Sequence, residues 1–336
     1  MLGGIFYVSK KCYNICMTYF NNTFWLLAFA WLMITLYLLK KDPKQDSGET
    51  ATNKSSFFTK KNWQPVIAKY TQDLTQLARE KKLDPVIGRD TEIRRVVQIL
   101  SRRKKNNVIL VGKAGIGKTA IAEGLAMAIA DNQVPSSLMN KVVLKVEMSA
   151  VLAGTKYRGE FENRFKTLID TIIAMDKQII VFIDEIHTIV EAGGAEGAID
   201  ADDIIKAPLA RGELQMLGTT TIDEYKKYIL PDTTLTRRFD ALLIEEPSKA
   251  ATIKILQGLK KSYEEYHRVI ISDEIIKKIV EHSTIIKDRV FPDKAIDIMD
   301  ELAAKVRLDN VNNKSVVKVS LKDLQEVMAF FKKQNF

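Results

Sequence analysis

Val108-Ile109-Leu110-Val111-Gly112-Lys113-Ala114-Gly115-Ile116-Gly117-Lys118-Thr119 passes without a break from an apolar, β-branched run into a glycine-rich turn that ends in Lys-Thr. The first four residues read as a buried strand, and Ala120-Ile121-Ala122-Glu123-Gly124-Leu125-Ala126 continues as an amphipathic helix. Strand, glycine turn and helix in that order form a phosphate cradle. Gly112, Gly115 and Gly117, with Ile116 between them, let backbone amides approach the β- and γ-phosphates of a nucleotide. Lys118 supplies a point charge, the helix N-terminus adds a favourable field, and the Thr119 hydroxyl is placed to ligate Mg²⁺.

Downstream, Ile179-Ile180-Val181-Phe182-Ile183 is wholly apolar and ends in Asp184-Glu185. An uninterrupted run of this kind belongs in the middle of a parallel sheet covered on both faces. Acidic residues after a strand are common, but after a phosphate loop the pair has distinct roles. Asp184 holds the Mg²⁺ through water, and Glu185 polarises a water for attack on the γ-phosphate. Val142 to Val146, Leu214 to Leu217 and Ala241 to Ile244 read as further strands, Thr91 to about Arg103 and Phe161 to Met175 as helices. The alternation predicts a doubly wound parallel α/β sheet with ligand at the carboxyl ends of the strands. Beyond Pro247, Ala250–Tyr266, Asp273–His282, Asp293–Leu308 and Ser320–Lys333 are four amphipathic patterns, the last opened by a Ser320-x-x-Asp323 capping box. They predict an all-helical lid.

Composition narrows the class. With 336 residues, 46% of them hydrophobic, the chain buries a large core, which excludes a disordered tail or a small stapled scaffold. The two cysteines, Cys12 and Cys16, lie near the N-terminus, so neither a metal cluster nor a disulfide framework is indicated. The net charge of +9 is spread over helix faces and a linker, which disfavours nucleic acid as a partner. Thr23 to Leu39 is an uncharged run rich in Leu, Phe and Trp, flanked by Tyr19, Phe20 and Tyr37 and followed by Lys40, Lys41 and Lys44. It reads as a single-pass transmembrane helix with the body on the cytoplasmic side. A cleaved signal peptide fits less well, because lysines stand where the cut would fall. The expected division is a short N-terminal segment over 1–22, the span over 23–39, a flexible tether over 40–62, an α/β ATPase subdomain over 63–246 and the lid over 247–336.

Several stretches together resemble the AAA+ ATPases, and within them the first ATPase module of the Clp unfoldases. They are Leu83-Asp84-Pro85-Val86-Ile87-Gly88-Arg89, Asn106-Asn107, Gly154-Thr155-Lys156-Tyr157-Arg158-Gly159-Glu160-Phe161, Phe182 to Thr188, and Pro292-Asp293-Lys294-Ala295-Ile296-Asp297. The resemblance runs from about Leu74 to the C-terminus and implies an AAA+ P-loop NTPase with ATP and Mg²⁺ as cofactors. It implies adenine contact by Val86 and Ile87, a γ-phosphate sensor at Thr221, and arginine fingers at Arg237 and Arg238 that reach a neighbouring subunit's site. Tyr157 matches the aromatic of the axial pore loop that grips protein substrates, Glu191 to Asp200 is a candidate second pore loop, and His187 reads as structural. A self-associating ring, a hexamer, is implied. Departures are Lys113-Ala114 in the phosphate loop, Gly218-Thr219-Thr220-Thr221 at the sensor, and a lid without the usual second-sensor arginine, where Lys294 sits in the neighbouring motif. An adaptor domain, a coiled-coil middle domain and a second ATPase module are not evident, which predicts a single ring layer.

The reading that follows is an ATP-dependent protein unfoldase tethered to a membrane. A peptidase or a full-length Clp protein is a candidate partner, and one rival reading is a nucleotide-binding regulatory or scaffold subunit that assembles with a full-length Clp ATPase. Another is a nucleic-acid motor, suggested only by the charge.

Overall fold

The computed structural model describes residues 64–154, 158–175, 177–191, 201–312 and 315–334. The span read at 23–39, the tether, Tyr157 and the loop at 192–200 lie outside the described residues. Among the described residues, no helix is long and apolar enough to cross a membrane.

Six strands form one sheet: β1 (Thr71–Asp73), β2 (Asn107–Val111), β3 (Val142–Val146), β4 (Ile179–Ile183), β5 (Met216–Thr220) and β6 (Phe239–Leu243), in the spatial order β1-β3-β4-β5-β2-β6. All neighbours are parallel except β1, which runs antiparallel to β3 with Thr71 opposite Val146. The sheet is therefore mixed rather than wholly parallel. Thr71-Gln72-Asp73 is three residues long and polar, so it carries no periodicity by which a strand is recognised.

The three central strands β2, β4 and β5 are buried along their whole length, as their apolar runs require. Alternate side chains go to opposite faces. Val108 and Leu110 pack with Ile121 and Leu125 of the helix Lys118–Ala130 and with Val96 and Ile99 of Asp90–Leu100. Ile109 and Val111 pack with Phe161, Phe165 and Leu168 of the helix Arg158–Ile173 on the other side. The helix Asp90–Leu100 ends short of the basic run Arg102 to Lys105, where Gln215 Nε2 donates to Leu100 O at 2.7 Å and to Asn106 O at 3.1 Å.

Strand β5 runs from Met216 to Thr220, two to three residues later than the leucines at 214 and 217 suggest. The buried, β-branched Thr219 and Thr220 belong to it, and Thr221 becomes the first residue beyond it. This shift places a hydroxyl at the mouth of the sheet.

The lid holds the four expected helices, Lys249–His267, Asp273–Ser283, Asp293–Asp309 and Leu321–Gln334, around a core of Leu256, Ile276, Ile279, Ile298, Met299 and Leu302. Ser248 and Ser272 cap the first two, accepting from Ala251 N and Ile275 N. The box at the fourth is formed, Ser320 N donating to Asp323 Oδ2 at 2.9 Å. The lid is not all-helical: β7 (Val269–Ile270) pairs in parallel with β8 (Val317–Lys318). Two-residue strands leave no legible pattern, and this pairing joins the turn after the first lid helix to the entry of the last.

Asn107 is the polar clamp of the central sheet. It is 3% exposed, its Oδ1 accepts Met216 N at 2.8 Å, and its Nδ2 donates to Arg238 O at 3.3 Å, so β2 is fixed to the chain entering both neighbouring strands. Asn107→Leu, close in volume, leaves a buried N–H and a carbonyl without partners. It should cost about 1–3 kcal/mol of stability, read as a drop of several degrees in thermal midpoint. An unchanged midpoint would show that water replaces the clamp.

Candidate active site

A cleft of about 680 Å³ opens at the carboxyl ends of β2, β4 and β5, between the sheet and the lid. It is lined by Val86, Ile87, Gly115, Ile116, Gly117, Lys118, Thr119, Asp184, Glu185 and Thr221, so ten of the residues singled out in the sequence meet in one place. Gly112 does not face it. A Cβ there would lie 2.3 Å from Ile116 Cδ1 and 2.8 Å from Ile244 O, so this glycine lets the loop fold tightly onto the chain that leaves β6.

The loop turns through left-handed backbone at Gly115 (φ 76°) and Gly117 (φ 90°), the latter capping the helix Lys118–Ala130. Lys118 Nζ donates to Gly112 O and Lys113 O, each at 2.9 Å, which holds the ammonium across the loop. Burial pulls its pKa below the ordinary value, and Asp184, Glu185 and Glu224 pull it back up. Behind the loop Arg89, 7% exposed, donates to Ile116 O at 2.6 Å and to Glu245 O at 3.3 Å, and is paired with Glu92 at 2.6 Å. Nothing local to Gly88-Arg89 announces that role.

Asp184 ties three elements together. Its Oδ2 accepts Thr119 Oγ1 at 3.0 Å, and its Oδ1 accepts the Thr219 hydroxyl. Thr119 and Asp184 thus present two hard oxygen donors side by side, a set that suits Mg²⁺, which takes few protein ligands and keeps waters. Thr219 was not singled out in the sequence, where it is one of three consecutive threonines. Its Oγ1 also accepts Glu185 N at 3.0 Å, and Glu185 is in left-handed backbone at φ 53°. A glutamate held there costs on the order of 1–3 kcal/mol, strain that collects at functional sites. It turns the carboxylate away from the strand direction and into the cleft.

Thr221 caps the short helix Ile222–Glu224 in a capping box, its hydroxyl donating to Glu224 Oε2 at 2.6 Å. That bond, with His187 and Lys118 nearby, holds the Glu224 carboxyl below its usual range although burial works the other way. His187 is buried, with Nδ1 3.2 Å from Thr220 Oγ1 and Nε2 3.1 Å from Glu224 Oε1.

The opposite end of the cleft is apolar. Ile87 packs so closely on the lid that a Cβ on Gly258 would lie 2.5 Å from Ile87 Cγ1, while Ile255, Leu259 and Ile296 line the lid wall. Val86 and Ile87 therefore face a slot suited to a flat base. Nearby, burial and Asp84 push the Glu123 carboxyl up. Lys294 plays no part: it is buried, donates to Ile286 O at 2.9 Å and lies 4.5 Å from the Phe291 ring centroid, a brace within the lid.

Arg237 and Arg238 do not meet the cleft. They end the helix Thr233–Arg238, and Arg238 O is bonded to Asn107 at the start of β2, whereas the phosphate loop leaves its other end. Five residues of strand separate the two, roughly 15 Å.

A family model for the ATPase family associated with various cellular activities (AAA) matches residues 108–213, and an AAA lid domain model matches residues 248–335. The ATP-dependent Clp protease ATP-binding subunit ClpC of Staphylococcus aureus (strain USA300) is 50% identical over 277 residues, which are 82% of this chain and 34% of that protein. The negative regulator of genetic competence ClpC/MecB of Bacillus subtilis (strain 168) is 49% identical over 298 residues, 88% of this chain and 37% of that protein. The chain thus spans about a third of the length of these curated relatives. Among solved structures, closed-state Hsp104 with ATPγS and FITC casein superposes with a TM-score of 0.73 at 37% identity, over 80% of this chain and 46% of that one. The S. cerevisiae Hsp104–ADP complex gives 0.71 at 38% identity, over 80% and 45%. The two models cover the phosphate loop, β3, β4 with Asp184 and Glu185, and the lid, and on these matches and the identity to the ClpC proteins the chain belongs to the AAA ATPases, in their Clp branch.

Proposed function

We propose that the chain binds ATP and Mg²⁺ in this cleft and hydrolyses the γ-phosphate as one subunit of a hexameric ring, using turnover to thread protein substrates past Tyr157. The observation that carries the reading is that Lys118, the Thr119–Asp184 oxygen pair and a strained Glu185 converge in one cleft, while Arg238 stands beside the far end of β2, just before β6. An arginine there serves a neighbouring subunit's cleft rather than its own. Thr119 and Asp184 would hold Mg²⁺, which when bound would supply charge neutralisation to the phosphates. Lys118 exchanges its loop carbonyls for phosphate oxygens. Glu185 orients a water and accepts its proton as the new oxygen–phosphorus bond forms and the bond to the β-phosphate oxygen breaks. Arg238 of the neighbour stabilises the charge that develops.

Protein as substrate is supported by the similarity to Hsp104, solved with casein, and by Tyr157 between Gly154 and Gly159. The uncharged run at 23–39 with lysines after it supports a membrane tether with the ATPase body on the cytoplasmic side.

Glu185→Gln should keep nucleotide affinity and stop turnover, and Arg238→Ala should do the same, by about 10³-fold or more. Mixed in one ring, the two variants should recover part of the activity, because an Arg238→Ala subunit keeps its own Glu185 and receives Arg238 from its Glu185→Gln neighbour. Steady-state ATPase of the mixture measures this, and no recovery over either variant alone refutes catalysis in trans.

Tyr157→Ala should leave basal ATPase within about twofold and abolish unfolding of a tagged fluorescent protein, since grip and chemistry belong to different loops. Retained unfolding would exclude the threading role of Tyr157.

Alkaline carbonate treatment of membranes carrying the full chain should leave it in the pellet. Release into the supernatant, or a mature N-terminus after Leu39, would make residues 23–39 a targeting segment instead.

A further inference from the structure

The Thr221 hydroxyl has a single proton, and Glu224 holds it at 2.6 Å. The same Thr221 oxygen accepts Glu224 N at 3.3 Å, so the contact is reciprocal. Glu224's other oxygen is 3.1 Å from His187 Nε2, and His187 Nδ1 is 3.2 Å from the Thr220 hydroxyl. One tautomer satisfies all of these: Nε2–H donates to Glu224, and Nδ1 accepts from Thr220. The imidazole is stacked on Tyr228, with centroids 6.2 Å apart and planes at 18°. Tyr228 lies in a π-helical turn, Tyr225–Ile229, a geometry that is rare and concentrates at functional sites. His187 follows Glu185 by two residues, so the network joins the catalytic carboxylate's turn to Thr221 through side chains alone.

We propose that Glu224 and His187 are positioning residues for Thr221: Glu224 competes with a γ-phosphate oxygen for the Thr221 hydroxyl, and His187 keeps the Glu224 carboxylate when that hydroxyl turns to the nucleotide. The proposal rests on Thr221 being the residue that meets the γ-phosphate. Its physical basis is competition between two anions for the same donors. Glu224 is close enough to Lys118 for their charges to interact, and Thr221 lines the cleft beside Lys118. A γ-phosphate brings further negative charge to those two donors, whereas a diphosphate leaves the Thr221–Glu224 bond undisturbed. Without His187, a carboxylate that lost Thr221 would be left under-bonded in a half-buried site, which would resist the exchange. A helix cap alone would have no such dependence on the third phosphate.

The test is equilibrium binding of ADP and of adenylyl imidodiphosphate, each with Mg²⁺, to the full chain, read as the ratio of the two affinities. Glu224→Ala should raise preference for the triphosphate analogue about tenfold, the lower end for one hydrogen bond to a charged acceptor in a partly exposed site. Glu224→Gln retains the cap and a weaker acceptor and should raise it roughly twofold, which keeps the test open should the alanine variant fail to fold. His187→Phe preserves the stacking on Tyr228 and should lower the ratio, because Glu224 then holds Thr221 more tightly. In a Thr221→Ala background these changes should vanish. If Thr221→Ala lowers the ratio but neither Glu224 variant alters it, the positioning role is wrong and the role of Thr221 stands. If Thr221→Ala leaves the ratio unchanged, Thr221 does not read the γ-phosphate, and the positioning role falls with it.

Discussion

The carboxylate of Asp184 is the joint on which the rest of the site depends. It accepts one hydroxyl from the helix that follows the phosphate loop and one from the end of β5, so three chain segments are registered at a single group. Each bond is to a charged acceptor, worth about 1.5–3 kcal/mol where solvent is excluded. Thr219 then holds Glu185 N, which fixes the left-handed turn at the next residue. Asp184, Glu185 and the phosphate loop are therefore positioned together. A shift of β5 along β4 would disturb all three, and the polar clamps at the other end of the strands, Asn107 and Gln215, oppose that shift.

Strand polarity supplies the second constraint. In a parallel sheet every carboxyl end lies on one side, so residues that enter a strand and residues that leave it are separated by the strand's full length. Lys118 follows β2, whereas Arg238 immediately precedes β6, which lies alongside β2 in register with Asn107 opposite Phe239. A chain built this way cannot complete its own transition-state charge balance with Arg238. The ring proposed above would resolve the geometry without any change in the fold.

What the sequence disclosed was set by distance along the chain. Lys118, Thr119, Asp184 and Glu185 were legible because strand, loop and helix are contiguous there, and β3 and β4 have the bounds that their apolar runs predict. Thr219 and Arg89 were not, because their work is done on Asp184 and Ile116, 35 and 27 residues away. The two-to-three-residue displacement of β5 has the same origin: leucines mark burial, but the threonines are buried too, and only pairing with β2 shows where the strand ends. The polar edge strand β1 and the two-residue ladder in the lid exist through backbone pairing, which leaves no side-chain period to read. His187 was read as structural, and its ties to Thr220 and Glu224 give that role a location beside Thr221.

The lid bears on how much the proposed reading asks of a neighbour's arginine. Its wall of the cleft consists of Ile255, Leu259, Tyr263, Pro292, Asp293 and Ile296, and none of these is cationic. Asp293 even packs against the phosphate loop, so closely that a Cβ on Gly115 would lie 2.7 Å from its own Cβ. Burial and Asp297 push the Asp293 carboxyl up, which lessens the charge it presents, and Arg289 works against them. The lid thus offers a base-binding apolar surface and no compensation for phosphate charge. Within one subunit that compensation falls to cations of the sheet side of the cleft, Lys118 first, with Arg89 and Lys145 also in its lining, and to the helix N-terminus. On the function proposed above, the additional charge that develops in the transition state would be met by the neighbouring subunit's Arg238, and hydrolysis would then be a property of the interface between subunits.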